Sequence, residues 1–208
     1  MSRFLSGWAG LAVLVVLAGC GGGGGNNDQG IVFSATGMFR GPETIDQGQI
    51  RCQQPTLQNA IVDTSFTLDI SNTVDFPNRN DPFADPCGGY MALENHLGTQ
   101  AILVGEIALR YQIPGAAIAV PTHSVTTGLR IESASSQAET SSGRANLIYA
   151  ELVGQIVPAQ MINWLNQNAN LLPQTPYTLN VFLEAQGQAE SGVNYTSNEI
   201  GYTITIID

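Results

Sequence analysis

Seven short runs of the chain, residues 31–39, 65–70, 101–111, 125–133, 146–153, 177–185 and 199–207, are apolar or alternating and are bounded by clusters of Gly, Pro, Asn and Ser. Runs of this length and composition read as strands. The alternation is clearest in Tyr202-Thr203-Ile204-Thr205-Ile206, where period two puts the tyrosine and isoleucines on one face and the threonines on the other. A half-buried antiparallel strand has that pattern. One segment departs from it. Pro158, then Met161, Ile162, Trp164 and Leu165 at helical spacing, then an Asn-rich end, predict a helix of roughly two to three turns. Its apolar stripe would cap one end of a β core, which makes Trp164 a core or cap residue before it is a ligand contact. Seven strands and a single helix predict a mainly β chain, an antiparallel β-sandwich with one short helix, and disfavour a parallel α/β fold.

The N-terminus carries a different signal. Arg3 is followed by an apolar stretch over residues 8–17. About ten residues suit the core of a signal peptide, whereas spanning a bilayer takes about 20. Leu17-Ala18-Gly19-Cys20 ends that stretch and resembles the lipobox of bacterial lipoproteins: leucine, two small residues, cysteine. The resemblance implies removal of residues 1–19, a diacylglyceryl group on the Cys20 thiol and acylation, palmitate included, of the new amino terminus. More than one acyl chain, at about 0.8 kcal/mol per buried methylene, gives stable anchoring. In Gram-negative members of that family an aspartate directly after the cysteine favours retention in the inner membrane. Gly21 stands there instead, so the resemblance implies the outer membrane, with the periplasmic and surface faces equally open. Glycines 21–25 and the polar residues after them cannot bury apolar surface, and residues 20–30 are expected to be a lipidated, flexible tether. Such a coil of about ten residues spans roughly 15–20 Å. Residues 31–208 then form one β-sandwich domain.

Charge narrows the partners. The chain has 17 acidic residues against 7 arginines and no lysine. Without a basic patch it has no means of gaining counterion-release energy from phosphates, so nucleic acid is excluded as a partner, and attraction to anionic headgroups with it. The membrane would be reached through the lipid anchor alone. With Cys20 lipidated, Cys52 and Cys87 remain as an even pair in an exported protein, which predicts a disulfide. No C-x-x-C pair, no C-x-x-C-H and no ligand-like histidine spacing occur, so neither zinc nor c-type haem is expected, and no cofactor is assigned.

Near the C-terminus, Leu172-Pro173-Gln174-Thr175-Pro176-Tyr177, followed by apolar Leu179, Val181 and Leu183, resembles the corner and following strand of fibronectin type III and related immunoglobulin-like domains. In that family the tyrosine hydroxyl bonds back to the backbone at the corner. The likeness covers only about the last 40 residues, and the helix stands where that family has a strand, so it implies an immunoglobulin-like sandwich in the loose sense and no function.

Two chemistries remain to be weighed. Asp75, Asn78, Asn80, Asp81 and Asp85 place hard oxygen donors close together and are the candidate calcium ligands, although the EF-hand spacing is missing and Asx turns pinned by Pro77, Pro82 and Pro86 account for the same residues. For catalysis there is no G-x-S-x-G, H-E-x-x-H, P-loop or G-x-G-x-x-G motif, and His96 and His123 both sit in contexts suited to loops. The expected role is a non-catalytic binding or structural module, with another envelope protein as partner through an exposed strand edge. An envelope hydrolase and a calcium-stabilised adhesion module are the rival expectations.

Overall fold

The computed structural model describes residues 30–46, 49–70, 87–138, 142–152 and 154–208. In chain order the strands are β1 (Phe33–Arg40), β2 (Glu43–Asp46), β3 (Gln49–Cys52), β4 (Ile61–Val62), β5 (Ser65–Asp69), β6 (Tyr90–Asn95), β7 (Ile102–Gln112), β8 (His123–Ile131), β9 (Leu147–Glu151), β10 (Tyr177–Ala189), β11 (Asn194–Thr196) and β12 (Ile200–Ile207). One helix, α1 (Ala159–Gln167), lies between β9 and β10. All seven sequence runs are strands, and the helix lies where its spacing predicts.

The strands form two main sheets. The smaller has the order β4-β1-β6-β9, the larger β5-β12-β10-β7-β8 with β11 against β10, and β2 and β3 make a separate hairpin. Each pairing is antiparallel except β5 with β12, which run parallel from Thr203 opposite Ser65 to Ile207 opposite Asp69. That parallel edge departs from the all-antiparallel expectation. A parallel pair needs a crossover connection. Here the whole of the domain between β5 and β12 supplies it.

Period two places the core. On β10, Tyr177, Leu179, Val181, Leu183 and Ala185 are buried while the residues between them face outward. One apolar cluster joins these to Phe33 and Met38 of β1, Met91 and Leu93 of β6, Ile107 and Leu109 of β7 and Ile204 of β12, so both sheets bury their inner faces against each other. Burial of each such large side chain contributes about 1.5–3 kcal/mol. Met161, Ile162 and Leu165 of α1 enter the same cluster and Trp164 packs at its margin, half-buried, as the helical spacing predicts. The buried Tyr111 hydroxyl donates to the Ile156 carbonyl at 2.8 Å and ties β7 to the chain leading into α1.

Strand β6 escapes the sequence pattern because it is buried on both faces. Met91 and Leu93 face the main core, while Tyr90 and Ala92 join Leu147, Tyr149, Phe39 and Ala60 in a second cluster on the outer side of the smaller sheet. No alternation survives when both faces are apolar. A strap over residues 53–64 runs along this side, with Ala60 packed against the cluster. Its backbone N–H groups donate from Gln53 to Pro42, from Leu57 to Ser142 and from Asp63 to Met38, at 3.1, 2.8 and 2.9 Å. Cys52 and Cys87 form the expected disulfide, which staples the start of the strap to the chain just ahead of β6. At the strap's far end the Tyr202 hydroxyl donates to Asp63 Oδ2 at 2.7 Å in a buried pair.

The corner near Tyr177 differs from the expectation. The Tyr177 hydroxyl is buried and makes no hydrogen bond among the described residues, so the corner bond that the fibronectin-like resemblance implies is not formed.

Candidate binding surface

Of the sequence-predicted site residues, Cys52 and Cys87 are joined as a disulfide. Cys20 and the five candidate calcium ligands, Asp75, Asn78, Asn80, Asp81 and Asp85, lie outside the described residues. Among the described residues no three His, Cys, Asp or Glu side chains are placed to hold a metal ion, and no helix is long and apolar enough to cross a membrane. His96 follows β6 in a loop, as expected, and its Nε2 lies 3.0 Å from Ser34 Oγ of β1. The contact is exposed, and among the described residues no carboxylate bonds the ring on its other side. A serine nucleophile of the triad type needs that third group to orient the base. His123 does not sit in a loop: it is the first residue of β8, opposite Leu109 of β7. The loop expectation rested on Pro121-Thr122 just before it. The strand begins two residues earlier than the run starting at Val125 indicates.

One shaped surface among the described residues is the outer face of the larger sheet where it runs out to β8. Pairing sets its rows. Glu184 of β10 stands opposite Ala108 of β7, and Ala108 opposite Ser124 of β8; in the next row Gln186 stands opposite Glu106, and Glu106 opposite Thr126. Side chains directly opposite in an antiparallel pair share a face. The small Ala108 and Ser124 therefore leave a low floor between taller neighbours, and a cavity of about 660 Å³ follows, lined also by Glu106, Arg110, Phe182 and Glu199.

One wall is rigid. The Arg110 guanidinium lies 4.1 Å from the centre of the Phe182 ring and donates from Nη2 to both carboxylate oxygens of Glu199, at 3.0 and 2.9 Å. A cation held by a ring face and a carboxylate at once is fixed in place, although the exposed ion pair itself is worth little. Glu106 and Glu184 have no hydrogen-bond or ion-pair partner among the described residues. The trough therefore carries two uncompensated carboxylates.

Strand β8 borders the trough and ends the sheet. It pairs with β7 along one side, and among the described residues no strand pairs with its other side. Its nine residues carry a single charged side chain, Arg130 near one end, which is held by Glu132 Oε1 at 2.8 Å and Glu190 Oε1 at 2.7 Å. Protective devices on an edge include charge, proline and shortness. Residues 123–126 of β8 carry neither charge nor proline, and the ladder with β7 shifts register just beyond them. Sequence reasoning anticipates an exposed edge but does not locate it, because which strand is outermost is set by pairing.

No family model matches the chain, and no curated protein matches it in sequence.

Proposed function

We propose that this protein is a lipid-anchored component of the bacterial cell envelope, held at the outer membrane through Cys20, and that its sandwich is a non-catalytic binding module for another envelope protein. The lipobox string Leu17-Ala18-Gly19-Cys20 supports the address. The observation that carries the binding role is the open edge of β8, nine residues of strand with one side unpaired among the described residues. An added strand gains main-chain hydrogen bonds along such an edge and draws its specificity from side chains on alternate positions.

Site-specific photo-crosslinking in intact cells tests the reading. A photoreactive residue at Thr126 on β8 gives a discrete protein adduct in the membrane fraction, and the same residue at Gln174, in the turn before β10, gives none. Absence of an adduct at Thr126, or an equal one at Gln174, rejects the edge as the binding surface. The Ser34–His96 contact supplies a direct check on the hydrolase alternative. A fluorophosphonate probe that labels Ser34 would replace the binding reading with a catalytic one.

A further inference from the structure

The edge of β8 leaves open which kind of segment adds to it, and the trough beside that edge selects one. Resting on the edge-binding reading above, we infer that the partner of β8 is an extended segment of a different protein that carries an arginine or lysine facing the trough, with its cation between Glu106 and Glu184.

The geometry follows from sheet spacing. A strand added to β8 lies about 4.8 Å beyond it, and its outward side chains stand beside Ser124 and Thr126. These are small, and behind Ser124 comes Ala108, so nothing tall separates the added strand from Glu184 along that row or, across Thr126, from Glu106. A long side chain with an apolar stem and a charged end can lie along such a floor with its stem over Ser124 and its charged end reaching Ala108. The far wall cannot supply the cation itself, because Arg110 is committed to Glu199 and to the Phe182 ring.

Charge also decides against a second copy of this chain as the occupant. The sequence has no lysine. Each arginine among the described residues is already ion-paired: Arg40 with Glu43, Arg51 with Asp46, Arg110 with Glu199, Arg130 with Glu132 and Glu190, Arg144 with Glu94. An edge-to-edge pair of identical copies would bring two copies of a net-acidic chain together with no unpaired arginine among the described residues to set against Glu106 and Glu184. Like charges across an interface are unfavourable, whereas a buried or half-buried carboxylate meeting a guanidinium gains a charge-assisted hydrogen bond.

The test uses the purified full chain and dye-labelled nonapeptides of alternating threonine and valine, with arginine, citrulline or glutamate at the central outward position, read by fluorescence anisotropy. Citrulline keeps the shape of arginine and removes its charge. The arginine peptide is expected to bind about tenfold or more tightly than the citrulline peptide at low salt, the glutamate peptide more weakly still, and the preference should vanish in Glu106→Gln/Glu184→Gln and at about 1 M salt. Both substitutions lie on an exposed face and leave the sheet's hydrogen bonds intact, and an unchanged thermal melt verifies this. Equal binding of arginine and citrulline peptides, or a preference that survives the double substitution, overturns the inference while leaving edge binding in place. Binding of none of the peptides, with a Thr126 adduct still formed in cells, likewise overturns the inference and keeps the edge. Loss of both the adduct and peptide binding rejects the two together.

Discussion

Asn95 is a buried polar side chain at the end of β6 that is bonded on both its amide nitrogen and its amide oxygen. It is fully buried, the two hydrogens of its Nδ2 are shared among the carbonyls of Gln100, Ile131 and Glu132 at 2.8, 3.3 and 3.0 Å, and its Oδ1 accepts the Leu97 N–H at 2.9 Å. One side chain thereby pins the end of β6 in the smaller sheet to the end of β8 in the larger. Asn95→Ala leaves several buried backbone groups unpaired, and each such group costs about 1–3 kcal/mol, so a loss of roughly 3 kcal/mol is expected in urea unfolding. Ser34→Ala, at an exposed contact, should fall within about 0.5 kcal/mol of the parent. The tyrosines make a second, pH-dependent statement. Burial pushes the phenols of Tyr111, Tyr149 and Tyr177 above their ordinary value of 10.0. A group whose folded value is raised stabilises fully below the unfolded value and loses that contribution as pH climbs toward the folded one. Unfolding monitored by circular dichroism should therefore show stability falling above about pH 10, while Tyr111 stays protonated in an ultraviolet titration until the fold opens. A Tyr111 that titrates with the exposed phenols would contradict its burial.

Among the elements, β7 and β10 meet along the longest register, and Gly187 stands at the shift in that register, with no room for a side chain. A Cβ there would lie 2.6 Å from Ile102 Cγ2 and 3.1 Å from the Leu103 carbonyl oxygen, and one of those neighbours is backbone. Gly187→Ala should lower the melting temperature by several degrees, whereas Gly201→Ala, which meets nothing within 4 Å, should be neutral or slightly stabilising. The disulfide acts on the strap. It joins residues 35 apart, and a loop of that length corresponds to about 3–4 kcal/mol in the chain-entropy picture, so Cys52→Ser/Cys87→Ser is expected to lose that much in chemical denaturation and to become protease-sensitive in the strap first. The elements also divide cleanly by legibility. Strands with one wet face, such as β10 and β12, can be read directly, since Thr203 and Thr205 alternate with Tyr202 and Ile204. Strand β6 cannot, because Tyr90, Met91, Ala92 and Leu93 are all buried and the side chains packed on its second face, Phe39, Ala60, Leu147 and Tyr149, come from segments distant in sequence. The short β2, β3, β4 and β11 have too few residues for any period to emerge. The trough is illegible for a related reason: Glu106, Ala108, Ser124 and Glu184 are four unremarkable outward residues until register brings them into two rows.

At the scale of the whole molecule, direction matters. Strand β1 begins at Phe33 opposite Asn95, and Asn95 reaches the carbonyl of Ile131, the last residue of β8. The N-terminal segment therefore joins the sandwich at the Ile131 end, while Ser124 lies seven residues back along β8, about 23 Å away. Removing glycines 21–25 should leave peptide binding at the trough unchanged in the purified protein, and a changed affinity would place the N-terminal segment against that surface. In cells the same deletion should lower the yield of the Thr126 adduct only if the partner sits beyond the reach that the glycines provide. On the lipid-anchored reading proposed above, chain entry at the Ile131 end of β8 and the Ser124 row about 23 Å away make the rigid strand itself a spacer that sets how far from the membrane a partner is met.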